Sequence, residues 1–317
     1  MQKSEGDPGI LNEVREQLGK SDLQSSGLKL FLYLYQNLSF MRLHFYHVLL
    51  ISVFACNTSF AQHSLTRLWE TDTLLKVPES VLFDAGNKVL YVSNIDGTDP
   101  WGNDGKGSIG KVGLDGKIIA AEWVNGLSSP KGLGLYKNKL YVADLTNIVV
   151  IDPQKGTIEK TIPVEGAGGL NDISISKDGI IWVSDSKNKK IYKIENDHSS
   201  VYLENLKGPN GVLMRGKDLY IVDAGGFFKV NEDKTLTMIA EGMEGGTDGI
   251  ENIAGNDFLV SCWQGTLWYI SEKGEKQMLL DTKGEKKNTA DIGYDPETKI
   301  VYVPTFWKNT IVAYQVK

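Results

Sequence analysis

Four oxygen-bearing side chains recur at one point of a repeating segment: Glu79, Asn171, Asn210 and Asp248. Two carboxylates and two carboxamides, with no Cys or His among them, are hard donors. Such a set suits Ca2+, or Mg2+ or Mn2+, better than Zn2+ or Cu2+. Its formal charge of −2 balances a divalent ion. Without a cation, two carboxylates crowded together repel, and one tends to take up a proton. The two other repeats carry Lys131 and Asp291 at the same point. Each position also has a plain structural reading. Asn and Asp before Gly are common in turns, and Pro-Asn-Gly at 209–211 reads as one. Turn chemistry does not explain why Glu79 occupies the same slot.

The elements that carry these residues repeat roughly every 40 residues. The segment reads PESVLFDAGNKVLYVSN from Pro78, PKGLGLYKNKLYVAD from Pro130 and LNDISISKDGIIWVSD from Leu170. It returns as PNGVLMRGKDLYIVD from Pro209, TDGIENIAGNDFLVSC from Thr247 and ADIGYDPETKIVYVPT from Ala290. Short runs rich in β-branched and aromatic residues, separated by Asp-Gly and similar turns, read as strands. In the third repeat they fall at 172–176, 180–184, 190–194 and 200–203, lettered A to D. A period of this size built from strands predicts an all-β fold, a six-bladed β-propeller with four-stranded blades around a central channel. The last repeat has three clear strands. Residues 65–75, which precede the first repeat, are expected to supply its outer strand and so remove the open sheet edges. Loops entering strand A and loops joining B to C then open on one face. The strand-A polar residues lie at the bottom of a funnel whose wall is the B–C loops.

Bulk properties narrow the field without choosing within it. Hydrophobic content of 41%, charged content of 23% and a net charge of −6 fit a globular domain spanning 62–317. No basic patch with interleaved aromatics points to nucleic acid. Residues 41–61, MRLHFYHVLLISVFACNTSFA, read as a secretory signal peptide, which predicts a periplasmic or secreted product. The apolar run is too short to span a bilayer, so no integral membrane span is expected in the mature chain. Residues 1–40 then read as a non-native or disordered extension. Cys56 sits in a poor lipobox, a weaker route to lipid anchoring. Cleavage after Ala61 would leave Cys262 as the one cysteine, with no internal disulfide.

At PESVLFD, LNDISI, PNGVLM and GTDGIEN the chain resembles the senescence-marker-protein/gluconolactonase family. It also resembles the wider superfamily of calcium-dependent six-bladed propellers that includes paraoxonase and diisopropyl fluorophosphatase. The resemblance covers about residues 65–317. It implies a catalytic divalent ion held by Glu79, Asn171, Asn210 and Asp248, with Asp248 doubling as base or nucleophile and Asn171 touching ion or substrate. Two departures stand out. Lys131 fills a slot with no required ligand, as a surface turn lysine or as a cation for a substrate carboxylate or oxyanion. No histidine base is in place, since His63 lies near the cleavage site and His198 in a turn on the far face. Asp291 reads as an outer-sphere acid or a channel-lining aspartate. Trp101, in a long Gly-rich loop, and Trp263, Phe306 and Trp307 would line the funnel mouth for a sugar ring or another flat ligand. The expected function is metal-dependent hydrolysis of a small lactone or ester. The alternatives are a binding module for a protein or glycan with a structural ion, and a lyase or strictosidine-synthase-like enzyme.

Overall fold

The computed structural model describes residues 62–317 and the single residue Tyr33. The expectations for 1–40, for a signal peptide at 41–61 and for Cys56 concern residues outside that range. Six four-stranded antiparallel sheets make up residues 65–316. Five are built from consecutive strands, beginning at Pro78–Asp84, Pro130–Tyr136, Leu170–Ile175, Pro209–Arg215 and Thr247–Ala254. The sixth takes Gly293–Asp295, Ile300–Pro304 and Ile311–Val316 from the end of the chain and Leu65–Glu70 from before the first blade. The predicted closure is therefore present, with Leu65 opposite Val316 and Glu70 opposite Val312. Within residues 62–317 the helices are two 3-10 turns, at Lys283–Glu285 and Phe306–Lys308. None is long and apolar enough to cross a membrane.

Each blade interface has its own apolar cluster. Tyr91, Ile109, Leu140 and Val142 join the first blade to the second, and Val150, Leu170, Val183 and Tyr192 the second to the third. Ile191 with Ile221, and Phe227 with Phe258, continue the series. Leu259 with Val303, then Leu90 with Tyr302 and Ala313, complete the circuit. Burying one such side chain contributes roughly 1.5–3 kcal/mol. Packing between blades, renewed at every interface, thus holds the inner strands around their axis.

Candidate functional site

The inner strands do not run regularly where the polar residues stand. In each of the first five blades the register against the second strand slips there, between Pro78 and Ser80, Pro130 and Leu133, Leu170 and Ile173, Pro209 and Val212, and Thr247 and Ile250. Such bulges re-aim side chains and free backbone N–H groups from the ladder. Serines on the neighbouring strand take up several of those groups. Ser93 accepts from Ser80 N (2.9 Å), Ser184 from Asp172 N (3.0 Å) and Ser261 from Gly249 N (2.8 Å). Pro-Asn-Gly at 209–211 is accordingly part of an inner strand, not a turn. Its glycine is required by close approach, because a Cβ on Gly211 would come 2.2 Å from the Asp248 carbonyl oxygen.

A second set of acids holds the loops that lead into these strands. Asp144 accepts from Ser128 N and Ser129 N, Asp185 from Gly168 N, Gly169 N and Asn188 N, and Asp223 from Lys207 N and Gly208 N. Asn94 plays the same part in the first blade, accepting from Lys76 N. Every approach to the ring in blades one to four is fixed in this way.

Glu79, Lys131, Asn171, Asp248 and Asp291 are all buried, and Asn210 is half-buried. Asn210 Nδ2 donates to Asp248 Oδ1 at 3.0 Å. Lys131 Nζ lies 3.9 Å from Glu79 Oε1. Asn171 Nδ2 donates to Ser186 Oγ (3.0 Å), which donates in turn to the Pro209 carbonyl (2.6 Å). Asp291 is bound by Ser80 Oγ at 2.5 Å, and its backbone N–H donates to the Glu79 carbonyl. Lys131 is thus no surface lysine. Asp291 is a channel-lining acid in the sixth slot.

Asp172, next to Asn171, is a residue that sequence reasoning passed over. It too faces the channel, its carboxylate accepting from Ile173 N (2.6 Å) and Val212 N (2.7 Å). Its signal was present in the pair Asn171-Asp172, but strand alternation sends two neighbours to opposite faces, and only the bulge brings both inward. One residue further along the inner strands the channel holds a cavity of about 190 Å3, its lining including Ser80, Asp172, Asp291, Glu251 and aliphatic side chains.

The electrostatics follow from burial. Asp248 is pushed well above the usual carboxylate range by burial and by the charges of Glu79 and Asp291, against Lys131 and the Asn210 amide. Burial also raises Asp291, aided by Asp172 and Glu79, and raises Glu79 against the pull of Lys131. The Lys131 ammonium is lowered by burial, while Glu79 and Asp248 favour its charge.

Two oxygens of the ring, Glu79 Oε2 and Asn210 Oδ1, are buried without any hydrogen-bond donor. An acceptor left so costs about 1–3 kcal/mol, and a cation within reach of either oxygen would satisfy it. Among the described residues no three His, Cys, Asp or Glu side chains form a metal cluster. The donor set is therefore two carboxylates completed by carboxamides, which fits an oxygen-preferring ion.

The mouth divides its aromatics. Trp101, half-buried, lies under two ammonium groups, with Lys131 Nζ 4.4 Å and Lys187 Nζ 4.9 Å from its ring centroid. Its loop is anchored where Ser129 Oγ donates to the Gly102 carbonyl at 2.7 Å. Trp263 and Trp307 are 37% and 41% exposed, and both pack edge-on against buried Phe306. His198 sits exposed at a C–D turn, bonded to the Asn196 carbonyl, and His63 stacks on Tyr269.

The fold and the ring define a class: a six-bladed β-propeller whose inner strands place carboxylates, carboxamides and one ammonium at one end of the channel. No protein-family profile matches the chain, and no curated protein matches it in sequence. In structure it is similar to a gluconolactonase from Xanthomonas campestris, at 13% identity over 81% of this chain and 91% of that one, with a TM-score of 0.61. It is similar to virginiamycin B lyase from Staphylococcus aureus with quinupristin, at 14% identity over 80% and 99% of the two chains and a TM-score of 0.57. A chain of the nidogen/laminin complex also matches, at 20% identity over 69% and 84% and a TM-score of 0.57. At such identities the likeness establishes the propeller fold alone.

Proposed function

We propose that the ring binds a divalent cation, Ca2+ before Mg2+ or Mn2+, through Glu79, Asn210 and Asp248 with Asn171 beside them. At that site the protein, secreted or periplasmic, hydrolyses a small lactone or related ester. The observation that carries this reading is the pair of buried, donorless oxygens, Glu79 Oε2 and Asn210 Oδ1. The gluconolactonase among the structural neighbours supports it.

When bound, a divalent ion supplies Lewis-acid polarisation of a carbonyl. The chain's own residues supply the rest. Asn210 holds Asp248 by Oδ1, which leaves Oδ2 to take a proton from attacking water. The Lys131 ammonium adds positive charge beside the developing oxyanion. Asn171 is held in place through Ser186. Trp101 packs against the Lys131 ammonium, and the exposed Trp263 and Trp307 offer flat faces to a sugar-like ring.

The test is hydrolysis of a panel of aldonolactones and simple esters by pH-stat, before chelation, after it and with each ion restored. Turnover should vanish on chelation and return with one ion while circular dichroism stays constant. No hydrolysis of any substrate at saturating metal would sink the hydrolase. One observation favours a second reading: the exposed Trp263 and Trp307, backed by buried Phe306, suit a glycan or protein contact. That reading takes over if the rim binds a partner and no substrate turns over.

A further inference from the structure

The ring already contains a cation. Lys131 stands in the slot where the other blades place oxygen donors, and its side chain is 3% exposed. Nζ lies 3.9 Å from Glu79 Oε1 and under Trp101, and among the described residues it makes no hydrogen bond. The charges that face it are Glu79, Asp248 and Asp144, with Lys187 opposing. A buried carboxylate with no opposite charge is strongly destabilising, and an ammonium within 4 Å offsets it. A divalent ion held by Glu79 and Asp248 would offset both carboxylates. Lys131 would then be a like charge beside that ion. One side chain therefore supports the empty ring and opposes the filled one.

We propose that Lys131 is a resident counter-ion of the ring: it allows the propeller to fold and persist without a divalent ion, and it weakens the hold of the ring on one. The inference rests on the reading of the ring as a cation site. It makes the ion an exchangeable partner of the site rather than a component of the fold. The aromatic cover strengthens the argument. Trp101 adds a cation–π contact at 4.4 Å from its ring centroid, which favours the ammonium where it stands over one extended to solvent.

The experiment measures calcium affinity by titration calorimetry, and thermal unfolding in EDTA and in calcium, on the full chain. It compares wild type with Lys131→Met, Lys131→Arg and the charge-neutral Glu79→Gln/Lys131→Met. Wild type should fold and unfold cooperatively in EDTA, with a higher Tm there than Lys131→Met. Lys131→Met should bind calcium at least about tenfold more tightly. It should lose about 5 °C or more in EDTA and regain it with calcium. Lys131→Arg should follow wild type. The double variant should recover the Tm in EDTA without the gain in affinity. Equal affinity of wild type and Lys131→Met would overturn the counter-ion while leaving the cation site standing. No calcium binding by either protein would overturn both. If Lys131→Met does not fold at all, the double variant decides: recovery supports charge compensation, and failure to recover makes Lys131 a packing residue and overturns the proposal.

Discussion

The aspartates that end the second strands of blades two to four and the polar residues that begin the inner strands come from the same repeat, on the same face. Their hydrogen bonding differs at particular atoms. Asp185 accepts three backbone N–H groups, and Asp144 and Asp223 two each. In the ring, Glu79 Oε2 and Asn210 Oδ1 accept none, and Lys131 Nζ makes no hydrogen bond among the described residues. Recurrence at a fixed point of a repeat is thus no mark of function by itself. What separates a brace from a site is whether the oxygens are already satisfied by the protein.

The sharpest way to break this contrast is to substitute one acid from each set. Asp248→Asn should lower lactone hydrolysis by about 100-fold or more. It should change stability in EDTA little, because Asn keeps the size of the side chain and an oxygen that accepts from Asn210 Nδ2. Asp185→Ala should do the reverse in kind. Three loop N–H groups lose their acceptor, at a cost of about 3 kcal/mol in denaturant unfolding, with any loss of turnover following from disorder of the loop. Equal destabilisation by the two would erase the distinction.

A smaller effect probes the spacing of the ring. Gly211→Ala puts a methyl group against the Asp248 carbonyl. Overpacking of this kind costs about 1–3 kcal/mol and should displace Asp248, so stability and turnover fall together. The same change at Gly216, where no atom lies within 4 Å of a Cβ but φ is +64°, should touch stability alone.

The smallest effect lies outside both sets, at Glu244. Burial acts to raise its carboxyl, but bonds from Lys283, Thr266 and Trp268 overcome this and hold it at about 2. A carboxylate depressed in the folded state adds stability that is present above its unfolded value near 4.5 and is lost as pH falls toward 2. With Lys283 partly exposed, the contribution is about 1 kcal/mol. Urea unfolding of wild type and Glu244→Gln should therefore differ at pH 6 and converge near pH 2.

The blade architecture is legible in the sequence. The repeat sets blade number, and the incomplete last repeat with its spare strand at 65–75 sets closure, because a sheet edge must be covered. Glu79, Asn171, Asn210 and Asp248 were visible because their types share a chemistry at a shared position. The bulges were not legible. A two-residue period has no way to announce that Asn171 and Asp172 both turn inward, or that Ser93, Ser184 and Ser261 take up the freed N–H groups. Lys131 in Pro-Lys-Gly reads like any turn lysine, and its burial depends on Trp101 and Glu79 arriving from another blade. The contact of Lys187 with Trp101 joins two loops 86 positions apart, which no local pattern encodes.

The closing strand carries one more consequence, for the order of events in folding. Residues 65–70 are made before the first blade, yet their partner strand is 311–316, among the last made. Asp291 meets the first blade through Glu79, Ser80 and Val81, again across more than two hundred positions. Contacts of such sequence separation form late. The sixth member of the ring, and with it the full electrostatic environment of Asp248, is therefore completed only when the first and last blades have met.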